Sequence, residues 1–162
     1  MKKLVLTVVI SCIFAGVFAQ KNLTTAQKSF QTSIVNFLKE EGYSPSVDSD
    51  SWVKFKSEGK LFYITIHKES PFFVTLMVTG FTLQGENAFD RTISMLACNE
   101  VNLESEAVKL YCTDESVSVR IEQYTRSSED FKYVFAQELS TLTSARQKFL
   151  DKYNKWSEGL EK

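Results

Sequence analysis

The sequence predicts an α+β fold: one antiparallel five-stranded sheet, elements in the order α-β-β-β-α-β-β-α, helices packed on the sheet, and a long C-terminal helix. Three observations predict it. Apolar residues recur at helical spacing near both ends and once in the middle of the chain. Between them lie runs that alternate apolar and polar, as half-buried strands do. Turns of a few residues join neighbouring runs, which antiparallel pairing allows and parallel pairing does not.

Leu23 to Glu41 reads as the first helix. Thr24 stands three residues before Gln27, a capping-box spacing. Phe30, Ile34, Phe37 and Leu38 form one apolar face. Gly42 follows as a C-cap, and Pro45 imposes an extended or turn conformation. Three strands come next. "SWVKFK" sets Val53 and Phe55 against Trp52, Lys54 and Lys56, and "SEGK" is a hairpin turn. "LFYITIH" sets Phe62, Ile64 and Ile66 against Leu61, Tyr63, Thr65 and His67. "FFVTLMVTGF" alternates Phe72, Val74, Leu76 and Val78 with Phe73, Thr75, Met77 and Thr79.

A second helix is predicted over 88–102, capped by Asn87, with Phe89, Ile93, Leu96, Ala97, Glu100 and Val101 on its packing face. Cys98 lies on the opposite side by helical geometry. "AVKLYC" and "VSVRIEQY", joined by "TDES", form a second hairpin in which Leu110 and Cys112 read as core. The last helix opens at Ser127, with Asp130 three residues on, and meets no Gly or Pro before Gly159. Its seam runs Phe135, Leu139, Leu142, Arg146, Phe149, Tyr153, Trp156 and Leu160. From Ser128 to Trp156, at 1.5 Å per residue, it is about 40 Å long, whereas a seven-residue strand spans about 23 Å. The sheet therefore covers only Phe131 to Leu142. The remainder is expected to rest on the first helix, on a second copy or on a partner.

Residues 1–19 have the layout of a secretory signal: Lys2 and Lys3, an apolar run from Leu4, and Val17 and Ala19 before a cut that frees Gln20. An uncleaved anchor is the alternative, although Leu4 to Ala19 is short for a membrane span. A lipoprotein attached through Cys12 is another, by a loose lipobox at Val9 to Cys12. Residues 20–162 fit a single domain. The whole chain carries a net charge of −1, and losing Lys2 and Lys3 makes it more acidic, against nucleic-acid binding. Cys98 and Cys112 remain after cleavage. An exported pair invites a disulfide, but their patterns direct them to different surfaces, so two free thiols are the other reading.

No reactive constellation stands out. His67 is the chain's single histidine, too few for a multi-histidine metal site. Cys98 has no basic neighbour to activate it. Asp48-Ser49-Asp50 lacks the glycine and closing glutamate of a calcium loop and reads as a polar turn. The expectation is no catalytic residue, no cofactor and no metal. What remains is surface: Trp52, Tyr63, Phe73, Met77, Tyr111 and Tyr124 share the second sheet face with Lys54, Lys109 and Arg120, a mixture that protein interfaces favour. The alternative is that the second helix covers part of that face.

The strings "FLKEEGYSPSVDSDSWVKFKSEGKLFYITI", "SPFFVTL" and "LACNEVNLESEAVKLYCTDESVSVRIEQY", followed by a long helix, resemble the YbjN-like family, whose fold is related to that of type III secretion chaperones. The likeness runs from about Thr25 to Tyr153, with Asn99 and Asn102 at the family's Asn-containing helix end; exported versions look similar to proteins of gut Bacteroidetes. It implies a small α+β domain that binds protein and often self-associates, and it brings no catalytic residue. Secretion chaperones are cytoplasmic, which a signal sequence contradicts. The leading expectation is an exported, non-enzymatic module that binds a protein or peptide through the aromatic sheet face, through Arg146, Tyr153 and Trp156 of the last helix, or both. A homodimer is a further option, and membrane insertion after cleavage is not expected. The alternative is a periplasmic enzyme or small-ligand binder whose site forms only in three dimensions.

Overall fold

The computed structural model describes residues 23–67, 73–82 and 88–160. The predicted signal sequence, Cys12 included, lies outside them. α1 spans Thr25–Glu40 and both its ends are closed as the sequence predicts. Gln27 N–H donates to Thr24 Oγ1 (3.2 Å), and Thr24 N–H donates back to Gln27 Oε1 (2.9 Å). At the other end Gly42 takes φ = 85°. Its N–H reaches Lys39 O, and Tyr43 N–H reaches Leu38 O at 2.8 Å, a Schellman closure. The closure places the Tyr43 ring 5.2 Å from Phe55 and 6.0 Å from Phe135, so the helix stop also packs the core.

The strands are β1 (Ser46–Val47), β2 (Val53–Ser57), β3 (Lys60–Ile66), β4 (Phe73–Thr82), β5 (Lys109–Cys112) and β6 (Ser116–Tyr124). All neighbours pair antiparallel, in the order β1-β2-β3-β4-β6-β5. The sheet thus has six strands where five were expected, and the element order begins α-β-β-β-β rather than α-β-β-β. The extra strand is the two-residue segment after Pro45, which pairs Ser46 with Lys54 and Val47 with Val53. A pair that short leaves no periodicity to read. The β2–β3 turn places Glu58 (φ = 49°) and Gly59 (φ = 75°) both in the left-handed region, the requirement of a tight hairpin.

α2 (Ala88–Glu104) and α3 (Ser128–Leu160) complete the chain. The inward sheet residues, among them Phe55, Phe62, Ile64, Leu76, Val119 and Ile121, form one core with Ile34 of α1, Ala97 and Val101 of α2, and Phe131, Leu142 and Phe149 of α3. All three helices therefore bury their apolar faces against the same side of the sheet. Ser127 Oγ accepts from Asp130 N–H at 3.2 Å and starts α3, as predicted.

The downstream half of α3 departs from expectation. The core continues past Leu142 to Ala145 and Phe149, further than expected, and the turns beyond rest on α2, which is neither the first helix nor a partner. Tyr153 Oη donates to Asp90 (3.1 Å), Trp156 Nε1 donates to Glu100 (2.9 Å), and Lys152 bridges Glu100 and Glu104 at 2.9 and 2.7 Å. Lys152, and then the Trp156 indole, hold the Glu100 carboxyl below its usual pKa. Arg146 is explained by β4, whose register shifts between Thr79 and Phe81. Arg146 Nε donates to Thr79 O at 3.0 Å, beside that irregularity.

Two further expectations are corrected. Cys98 is buried rather than directed outward, while Leu96 is 39% exposed. The packing face of α2 is rotated so that Ile93, Ala97, Cys98 and Val101 are buried, because the helix is wedged between the sheet and α3. Cys112 sits half-buried at the core rim rather than within it. Both thiols are free.

Asn102, at the end of α2, meets the outer edge of β5. Its Nδ2 donates to Leu110 O (3.2 Å) and its Oδ1 accepts from Leu110 N–H (2.8 Å), so one side-chain amide takes the place of a neighbouring strand. Asn102→Ala should lower stability by about 1 kcal/mol, with Asn102→Asp in between, read from urea midpoints.

Glu138 is a second local conflict: it is 8% exposed, Oε2 has no hydrogen-bond partner, and burial pushes its carboxyl up to about 7 from 4.5. A raised folded pKa means that its charged form opposes folding. The protein should therefore lose stability between roughly pH 4.5 and pH 7, by about 3 kcal/mol at most, and level off above. Subtracting the denaturation profile of Glu138→Gln from that of the native protein isolates this slope.

Candidate protein-binding face

With every helix on one side, the second face of the sheet carries no helix among the described residues. Strand alternation and register arrange its side chains in transverse rows. One row crosses five strands: Lys54 pairs with Tyr63, Tyr63 with Met77, Met77 with Arg120, and Arg120 with Lys109. A second joins Thr65, Thr75 and Glu122. Thr65 and Thr75 are buried, flanked on that face by larger side chains. At one end Phe73 lies 4.6 Å from the Tyr124 ring and 4.5 Å from the His67 ring.

Two carboxylates anchor the cations of this face. Asp48 organises the turn between β1 and β2: Oδ1 accepts from Asp50 N–H (3.0 Å) and Trp52 N–H (2.9 Å), and Oδ2 meets Lys54 Nζ at 3.0 Å. Burial raises the Asp48 pKa, but the Trp52 N–H and Lys54 outweigh it and leave the carboxyl below its usual range. The turn, in which Ser51 takes φ = 65°, sets the Trp52 ring edge-on to Tyr63 at 6.0 Å. At the far side Glu122 accepts from Lys109 Nζ (3.0 Å) and lies 3.9 Å from Arg120 Nη1. The Arg120 guanidinium stacks on Tyr111 at 3.9 Å, where it can no longer swing freely into solvent.

The structure thus brings Trp52, Tyr63, Phe73, Met77, Tyr111 and Tyr124 onto one surface, and α2 does not cover it. Arg146, Tyr153 and Trp156 lie away from that surface, bonded to Thr79, Asp90 and Glu100. Asp48 and Glu122 join the face as the structure shows it, through their ion pairs with Lys54 and Lys109. Glu122 was legible as the residue two beyond Arg120 on the same strand face; Asp48 was legible only as a turn residue, which it is. Tyr124 is 80% exposed, whereas Trp52, Tyr63, Phe73 and Met77 are half-buried in their rows.

The chemical candidates sit elsewhere or are engaged. Burial pushes the Cys98 thiol up to about 12, so it stays protonated at neutral pH. His67 Nε2 lies 2.7 Å from Thr75 Oγ1. Among the described residues no three His, Cys, Asp or Glu side chains gather where one metal ion could bind. No helix among them is long and apolar enough to cross a membrane.

No protein-family profile matches the chain. A 76-residue stretch is 25% identical to Oleate activated transcription factor 3 of Saccharomyces cerevisiae, in strains JAY291 and RM11-1a alike. The match covers 45% of this chain and 9% of that protein, and it carries neither the fold nor the function of the yeast protein over.

Asp48→Ala should cost about 1–2 kcal/mol, since it strands two backbone donors and frees Lys54. Asp48 has a depressed pKa, so its contribution is present above the usual carboxylate range and is lost as the pH falls through its folded value, below 3.8. Acid titration of the native protein against Asp48→Ala, followed by circular dichroism, reads the difference.

Proposed function

We propose that this is an exported, non-enzymatic module that binds a protein or peptide across the outer face of its sheet. One observation carries the reading: the helices all lie on the other side, so a broad face holding Trp52, Tyr63, Met77, Arg120 and Tyr111 is left without cover among the described residues. Aromatics, Met and Arg are the residue types that interfaces concentrate and that dominate their energetics. Half-buried rings held by their neighbours also lose little freedom when a partner docks, which favours affinity. The resemblance to YbjN-like domains, small α+β proteins that bind protein, points the same way, and the signal-like layout of residues 1–19 supports export. The intrachain bonds of Tyr153 and Trp156 give the end of α3 a reason to exist without a partner, so the sheet face is the favoured surface.

The test is site-directed photocrosslinking in the native cell. A photoreactive residue at position 63 or 111 should capture a discrete protein. The same probe at Tyr133, 90% exposed on α3, should not. Alanine at Tyr63, Phe73 and Tyr111 together should weaken capture at least tenfold. Equal capture at position 133, or capture indifferent to the three alanines, would sink the reading.

A further inference from the structure

The outer face is not only aromatic; its charge differs in sign from that of the protein as a whole. The chain is net −1. Yet this face gathers Lys54, Lys56, Lys109 and Arg120 against three carboxylates among the described residues, Asp48 and Glu122 in direct contact with the cations and Asp50 in the β1–β2 turn near Lys54. Lys54 and Lys109 each hold a carboxylate at 3.0 Å, and Lys56 opposes only Leu61 across the hairpin. The cations flank the aromatic row on both sides, with Lys54 at one end and Arg120 and Lys109 at the other.

We infer that the face takes an acidic segment of another protein that also carries aromatic side chains. This rests on the reading above and specifies its partner. Carboxylates would bridge the cations at the two ends of the row while rings stack on Tyr63 and Met77 between them. A second copy of the chain is the wrong occupant, because face-to-face stacking opposes two surfaces of the same positive excess. An anionic membrane also fits poorly. Interfacial binding needs apolar groups that reach about 5–10 Å into the lipid boundary, and Trp52, Tyr63, Phe73 and Met77 are half-buried in the sheet rows.

A random copolymer of glutamate and tyrosine is the probe, with polyglutamate, a lysine–tyrosine copolymer and phosphatidylglycerol vesicles beside it. Calorimetry on the unaltered protein measures affinity. The chain has two tryptophans, so Trp156→Phe makes Trp52 fluorescence a direct report from the face. The glutamate–tyrosine copolymer should bind tightest and should shift Trp52 emission. Affinity should drop roughly fivefold for each of Lys54→Glu and Lys109→Glu, and further at high salt. Equal affinity for the two copolymers, full affinity after both reversals, or binding to vesicles in place of the copolymer would each overturn the acidic partner. If those failures came with crosslinks at positions 63 and 111 that the three alanines abolish, the face would stand and only its partner chemistry would fall. If the crosslinks failed too, both would fall.

Discussion

Phe131, Leu142 and Phe149 press one side of a 33-residue helix onto the inner face of the sheet, and the other elements are arranged around that burial. At about 50 Å the helix is longer than any strand beneath it. Its first half closes the core with α1, through the edge-on contact of Phe37 with Phe135. Its last turns, past Phe149, take their support from α2 through Lys152, Tyr153 and Trp156. A cation in the seam is tolerable at the crossing because Arg146 finds the carbonyl of Thr79 there.

Much of this was legible because period and punctuation agree locally. Thr24 with Gln27, Gly42 and the alternating strands each fix one conformation through neighbours a few residues away, and those assignments hold in the structure. What escaped the sequence depends on distant partners. β1 is defined only by the β2 backbone beside it. The rotation of α2, which buries Cys98 and exposes Leu96, is set by contact on two sides, and a helical wheel sees one face at a time. The support of Trp156 by Glu100 joins residues 56 positions apart. The candidate face was read almost whole from alternation, since each strand contributes alternate residues to it. Its charge anchoring was read only in part, because Asp48 acts from a turn and not from a strand.

The two faces of the sheet divide the work of the chain. The inner face is almost wholly apolar and secures the fold. The outer face mixes rings, a thioether, hydroxyls and ion pairs, and it contributes less to burial than its aromatic content would allow. Pinning its cations with Asp48 and Glu122 limits how far they wander. The surface therefore holds a defined pattern of charge, with part of its attraction already satisfied within the chain.

Asn102 has a consequence beyond its two hydrogen bonds. A wide, partly apolar sheet is a hazard if its rim can add strands, since each added strand exposes the next and growth has no natural end. At one rim the Asn102 amide occupies Leu110; at the other the last strand is only two residues long. Recruitment from the side is thereby discouraged, while approach onto the flat of the sheet is not. Edge-to-edge growth of the sheet is thus disfavoured at both rims.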